Sequence, residues 1–182
     1  IIFYKDDIFR IWVSSSSGSF SDASSAQLVV WKDDPITTII DSTTNASYYL
    51  IKTNECALRV YKKPCKFGLF DIGNTTPAFE ESSPIDVGTT TVQTLTRKTD
   101  EHFYGCGAWN GHYCLTDLVA PARYQQNYQV NGSPNPATMY ISRLGYGAFR
   151  NTWDNNGTYT FKSTVTTSHG EDRFDCFYFY GP

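Results

Sequence analysis

The run His102-Phe103-Tyr104-Gly105-Cys106-Gly107, with Trp109-Asn110-Gly111 close behind it, sets large rings against glycines. A second such run, Ser142-Arg143-Leu144-Gly145-Tyr146-Gly147-Ala148-Phe149, follows the apolar segment from Pro136 to Ile141. Aromatic and β-branched residues suit a pleated, half-buried surface, and glycines punctuate it. Glu101 to Phe149 therefore reads as short strands with the glycines as turns between them. Gly105-x-Gly107 and Gly145-x-Gly147 lack the following helix that a phosphate cradle needs, so neither supports nucleotide binding.

Strand signals continue toward both termini. Ile2-Phe3-Tyr4 and Ile8 to Val13, separated by Asp6-Asp7, predict an opening hairpin. Ser14 to Ser25 is too polar for a core and predicts a surface loop. Leu28 to Trp31, Thr37 to Ile40, Ser47 to Thr53 and Cys56 to Tyr61 keep the strand-turn rhythm, and Lys62-Lys63-Pro64 predicts a hairpin turn into Cys65 to Asp71. Residues 72–90 read as loop, and Val92 to Arg97 as another alternating strand. Arg173 to Tyr180 is aromatic enough to belong inside a sheet. Gly181-Pro182 after it reads as a turn into something further, so the chain is expected to be one piece of a longer polypeptide. Helical patterning is nearly absent, and many short strands with frequent turns predict an all-β sandwich or barrel in one domain, residues 1–182.

Composition limits the function classes. The chain has 182 residues, 18% of them charged, and a net charge of −3. No basic field exists for nucleic acid or an anionic membrane, and no apolar run is long enough to span a bilayer. Asn45, Asn74, Asn131 and Asn156 each open an N-x-[ST] glycan acceptor pattern, which predicts a secreted glycoprotein whose signal has been removed. Five cysteines, Cys56, Cys65, Cys106, Cys114 and Cys176, suit an oxidising compartment but cannot all pair within the chain. The odd one is a buried thiol or bonds to another chain or a missing portion of this one.

Several chemistries can be weighed on spacing. His102, Cys106, His112 and Cys114 lack the paired close spacing of common zinc sites, so no metal or cofactor is expected. A Cys106–Cys114 disulfide, or two separate buried thiols, suits an exported domain better. Asp100, Glu101, Asp117, Asp154, Glu171 and Asp172 are candidate carboxylates for sugar hydrolysis, yet nothing places two face to face, and they read as solvated turn residues. Trp109, Tyr113, Tyr124 and Tyr128 beside Asn110, Gln125, Gln126, Asn127 and Gln129 put flat rings next to amides. Rings offer faces to sugar C–H groups and amides satisfy hydroxyls, although the same rings can simply fill a core edge.

Taken in order, Tyr104-Gly105-Cys106-Gly107 with Asn110-Gly111, Pro136 to Ser142, Gly145 to Phe149 and Phe177 to Pro182 resemble the N-terminal β-sandwich of glycoside hydrolase family 31. That family contains α-glucosidases, α-xylosidases, α-galactosidases, transglycosylases and α-glucan lyases. The resemblance implies a large antiparallel, galactose-mutarotase-like sandwich, followed after residue 182 by a catalytic (β/α)8 barrel that carries the nucleophile and the acid/base. It implies no catalytic residue in this chain, inactivity of the chain alone, and partnership with that barrel and with an α-linked oligosaccharide. The family's sandwich sends a loop over the barrel mouth; the matching segment is about Tyr124 to Pro136, which makes Tyr124, Asn127 and Tyr128, together with Trp109, the candidate substrate-binding residues.

The chain also departs from the pattern. Many members have an Asp in that loop, where this chain has Asn127 and Tyr128. Where many show Gly-Glu, this one has Ala108-Trp109-Asn110-Gly111, closer to transferase-like and galactosidase-like branches. The implied function is a non-catalytic part of a secreted retaining α-glycosidase. The alternatives are a family transglycosylase, α-galactosidase or α-glucan lyase and, from another class, a free-standing carbohydrate-binding sandwich.

Overall fold

A computed structural model describes residues 1–15, 43–109, 111–122, 135–152, 154 and 156–181. Among these, all regular structure is β. The strands are β1 (Ile2–Lys5), β2 (Ile8–Ser14), β3 (Tyr48–Lys52), β4 (Cys56–Lys62), β5 (Cys65–Asp71), β6 (Pro77–Glu80) and β7 (Thr91–Thr96). They continue with β8 (Phe103–Ala108), β9 (Val119–Pro121), β10 (Asn135–Ser142), β11 (Tyr146–Arg150), β12 (Thr158–Phe161), β13 (Thr164–His169) and β14 (Arg173–Tyr180).

The fold is a β-sandwich. One layer is a six-stranded antiparallel sheet in the order β1-β2-β14-β11-β10-β8. The other comprises two four-stranded sheets, β7-β13-β12-β9 and β3-β4-β5-β6, which meet through the Glu81–Leu95 bridge. Alternation along each strand sends one set of side chains into the space between layers. Phe9 and Ile11 of β2, Tyr140 of β10, and Phe174 and Tyr178 of β14 face Leu58, Phe79, Tyr159, Phe161 and Val165 in one continuous core. Ring pairs cross the gap: Phe103 stacks on Phe161 at 4.7 Å, and Phe79 meets Tyr178 at 4.9 Å. Each such pair adds about 0.5–1.5 kcal/mol beyond the area it buries.

Most sequence expectations hold. The opening hairpin is β1–β2, the Lys63-Pro64 turn joins β4 to β5, and the aromatic run Arg173–Tyr180 lies inside the six-stranded sheet, between β2 and β11. The stretches Leu28 to Trp31 and Thr37 to Ile40, with most of the Ser14–Ser25 loop, fall outside the described residues. Two readings are corrected. Residues 72–90 contain β6, a four-residue edge strand whose Ala78 and Phe79 are buried; it opens on Pro77, tolerated there because edge positions can lack a donor.

The second correction concerns Gly105 and Gly107, which lie within β8 and not at turns between strands. Consecutive positive φ values of 114°, 54° and 96° at Gly105, Cys106 and Gly107 carry β8 past a bulge in β10, where Pro136 pairs with Gly107 and Tyr140 with Gly105. A Cβ on Gly107 would sit 1.9 Å from the Asn135 carbonyl oxygen, and one on Gly105 2.7 Å from that of Met139. Both backbone conformation and space demand glycine. Gly145, by contrast, does sit in a turn, between Ser142 and Tyr146 of the β10–β11 hairpin.

Candidate functional site

Strand directions gather several connections at one end of the sandwich. The ends of β9 at Pro121, β11 at Arg150, β13 at His169 and β2 at Ser14, and the starts of β10 at Asn135, β12 at Thr158 and β14 at Arg173, all lie there. Residues 170–172 cross between the layers at this end, and the strand ends that bound two further connections, Arg150 with Thr158 and Pro121 with Asn135, lie in opposite layers. Ala122 is fixed by donating its N–H to the Gly157 carbonyl at 2.7 Å, and Asn135 pairs with Ala108. The loop expected to reach substrate is thus rooted in both layers.

Charged groups hold this end. The Arg10 guanidinium donates to both Asp175 carboxylate oxygens, Nε at 2.6 Å and Nη2 at 2.7 Å, with both side chains fully buried. It lies over the Trp12 ring at 4.1 Å and the Phe177 ring at 4.9 Å. Asn151 donates to the second Asp175 oxygen at 2.7 Å. Buried Arg150 donates to Glu171 Oε1 at 2.9 Å and to the Arg173 carbonyl, and lies over the Phe174 ring at 4.3 Å. A planar guanidinium suits such a two-pronged, ring-faced setting better than an ammonium would.

Beside this network His169 is 1% exposed, and neither ring nitrogen has a hydrogen-bond partner among the described residues. Burial pushes its pKa down to about 4, the Arg150 charge pushes the same way, and Asp154, 3.9 Å from Nδ1, only partly opposes them. The imidazole is neutral at pH 7. Burial raises the Asp154 pKa, but the Gly170 and Asn156 N–H groups donating to its two oxygens outweigh that, and the net shift is downward.

The sequence-predicted residues fall in different places. Tyr124, Asn127, Tyr128 and the acceptor Asn131 lie outside the described residues. Trp109 stands at the foot of their loop, half-buried against the core, its indole N–H donating to the Cys106 carbonyl at 3.0 Å. Tyr113 is 90% exposed and meets Tyr104 edge-on. Asn45 and Asn156 are exposed; Asn74 is half-buried, its Oδ1 taking the Arg59 Nε–H at 2.7 Å.

Two chemical expectations need correction. The Cys106–Cys114 disulfide does not form, and all five cysteines are thiols. The left-handed backbone at Cys106 turns its side chain into the core, whereas Cys114 lies half-exposed beside Thr116 and His102. The carboxylates are also not uniformly solvated. Glu101 is 1% exposed and accepts from the Ser142 hydroxyl at 2.6 Å and the Tyr146 hydroxyl at 3.1 Å. Glu171 pairs with Arg150, whereas Asp172 is exposed as expected. Among the described residues no three of His, Cys, Asp and Glu converge as metal ligands.

Sequence reasoning missed the Arg10–Asp175 pair. A charge inside each of two otherwise aromatic strands was its available signal, because a buried charge calls for an opposite partner.

This architecture recurs in solved enzymes. A GH31 dextranase from Flavobacterium johnsoniae superposes with a TM-score of 0.75 at 18% identity, covering 97% of this chain and 23% of its own. The cycloalternan-forming enzyme of Listeria monocytogenes gives 0.77 at 14% identity, covering 98% and 18%. A GH31 α-xylosidase from a soil metagenome gives 0.73 at 13% identity, covering 97% and 29%. No family model matches the chain, and no curated protein sequence does. The chain has the fold of a sandwich found in glycoside hydrolase family 31 enzymes, and it spans less than a third of the length of those enzymes.

Proposed function

We propose that this chain is the non-catalytic sandwich of a secreted retaining α-glycosidase of glycoside hydrolase family 31, acting on α-glucosides. The observation that carries the reading is coverage. Nearly all of the chain superposes on enzymes whose own length it fills only by 18–29%. The sandwich would buttress a separate catalytic barrel that supplies the nucleophile and acid/base. The segment 124–136, rooted in both layers at the charged end, would contribute Tyr124, Asn127 and Tyr128 to the sugar pocket, with Trp109 holding its foot. An amide at Asn127 can both accept from and donate to sugar hydroxyls, but adds no negative charge beside an oxocarbenium-like transition state. The exposure of the acceptor asparagines Asn45 and Asn156 suits the same reading of an exported protein.

The test is kinetic. In the whole enzyme, Asn127→Ala and Tyr128→Ala should each lower kcat/KM on an α-glucoside by about 2- to 10-fold, the range for one lost hydrogen bond. Unchanged kinetics in both would remove the pocket role. A single species of 20.5 kDa under denaturing, reducing conditions, with no larger companion chain, would favour a free-standing carbohydrate-binding module.

A further inference from the structure

The outer faces of the two layers differ in kind. On the sheet β7-β13-β12-β9 the outward cross-strand row Thr160–Thr166–Thr94 is threonine throughout. Hydroxyls suit a sheet face that meets water. On the six-stranded sheet the outward rows are apolar. Ile141, Gly147, Phe179 and Ile8 form one row across β10, β11, β14 and β2, and Met139, Phe149 and Phe177 line up beside it. Ile141 is 50% exposed, and Met139, Phe149 and Phe179 are half-buried.

The first row has a gap. Gly147 lies between Ile141 and Phe179 and floors the apolar groove of about 180 Å³. Neither conformation nor space demands glycine there. Its φ is not left-handed, and an added Cβ would meet the Tyr140 carbonyl oxygen at 3.5 Å, Phe179 Cδ2 at 3.7 Å and Ile141 Cγ1 at 3.8 Å, all ordinary contacts. Gly105 and Gly107 differ on both counts. A glycine inside a strand weakens it, and where the chain's own backbone does not require one, it marks close approach by another group. The groove closes at the Gly181 N–H, which donates to the Gly145 carbonyl at 3.0 Å, so any polypeptide that continues past β14 leaves from its rim.

We propose that this face is the docking surface for the catalytic remainder of the enzyme, one of whose apolar side chains fills the slot above Gly147. The inference rests on the reading of the chain as the sandwich of a larger glycosidase and deepens it by naming the surface. Length favours that occupant: the chain fills only 18–29% of the enzymes on which it superposes, and so large a remainder needs an interface. A contiguous exposed apolar patch is what the core of an interface requires. None of the residues lining the groove is charged, so it fits an apolar side chain and not an ionic one.

The experiment places one thiol on each face of the whole enzyme. Ile141→Cys and Thr96→Cys change positions that are both exposed in the sandwich, and maleimide labelling of each native variant is followed by peptide mass spectrometry. The thiol of Ile141→Cys should label at least about 10-fold more slowly than that of Thr96→Cys, 10-fold corresponding to 1.4 kcal/mol in favour of the closed interface. Both should label alike after denaturation. Gly147→Val, which fills the slot, should bring the Ile141→Cys rate up to that of Thr96→Cys. Equal native rates in an enzyme whose mass includes the larger catalytic portion overturn the docking surface and leave the glycosidase reading standing, whether or not the Gly147→Val variant folds. Slow labelling that a folded Gly147→Val variant does not change overturns the slot. Slow labelling that speeds up on dilution identifies a second copy as the occupant and overturns the choice of partner. Native material that consists of the 20.5 kDa chain alone overturns the glycosidase reading and this inference with it.

Discussion

The two ends of the sandwich satisfy their buried and half-buried carboxylates in different ways. At the end where the connections cross between layers, Asp175 and Glu171 bond to arginines. Toward the β10–β11 hairpin, buried Glu101 takes hydroxyls from Ser142 and Tyr146. Glu81, where the two smaller sheets meet, takes the Gln93 amide at 2.7 Å and the Phe67 N–H at 2.8 Å, and Gln93 in turn accepts from the Tyr178 hydroxyl. At Glu81 burial outweighs the Gln93 amide and the Phe67 N–H and pushes the pKa up to about 7. The connection end is therefore fixed by charge, while the seam between sheets holds an acid that titrates near neutrality. The hairpin end also bears an apolar groove of about 180 Å³ on the outer face, lined by Met139, Ile141, Gly147 and Phe179 among others.

Breaking the charged end should give the largest effect. Asp175→Asn removes the negative charge that both Arg10 donors bind and leaves a buried cation. Removing one partner of such a pair costs about 3–5 kcal/mol. The variant's urea midpoint should fall accordingly, and a midpoint within error of the parent's would show that the pair is not what holds this end.

The next effect sharpens the contrast through pH. Glu81 is raised to about 7 by burial, which the Gln93 amide and the Phe67 N–H only partly offset. Its folded pKa lies above the unfolded one, so stability is lost as pH rises between the ordinary value of 4.5 and about 7. His169 is lowered to about 4 from 6.5, so stability is lost as pH falls between those values. Each limb is worth at most about 3.5 kcal/mol, from 1.4 kcal/mol per pH unit. Their slopes oppose each other where the windows overlap, and the parent's stability should be nearly flat there. Glu81→Gln should expose a slope rising with pH, and His169→Phe one falling with pH. Parallel profiles for the two variants would contradict both assignments.

Much of the scaffold was legible because burial repeats with the strand period. β14 could be read from its run of rings, the opening hairpin from the apolar stretches on either side of Asp6-Asp7, and β7 from its alternation. Position within a strand was harder to read. Gly105 and Gly107 look like turn residues because composition reports that the backbone needs glycine, not whether it needs it for a turn or for a close approach by β10. The acids failed for a related reason. Asp175 and Arg10 are 165 residues apart, and their union depends on β14 pairing with β2, which no local pattern specifies. The candidate loop was placed by resemblance alone, and what the structure adds is where its two ends are tied.

The smallest expected effect separates buried charge from charge in general. Arg97 and Asp117 also pair, at 2.5 Å, but the Asp117 side chain is 74% exposed. Water already solvates that carboxylate, and exposed pairs contribute about 0–1 kcal/mol, less in salt. Arg97 keeps its bond to the Lys162 carbonyl at 2.6 Å when the acid is gone. Asp117→Asn should therefore shift the urea midpoint by much less than Asp175→Asn, and the shift should shrink further in 0.5 M sodium chloride. A loss equal to that of Asp175→Asn would mean that pairing matters here regardless of burial, and the distinction between the ends would have to be drawn on other grounds.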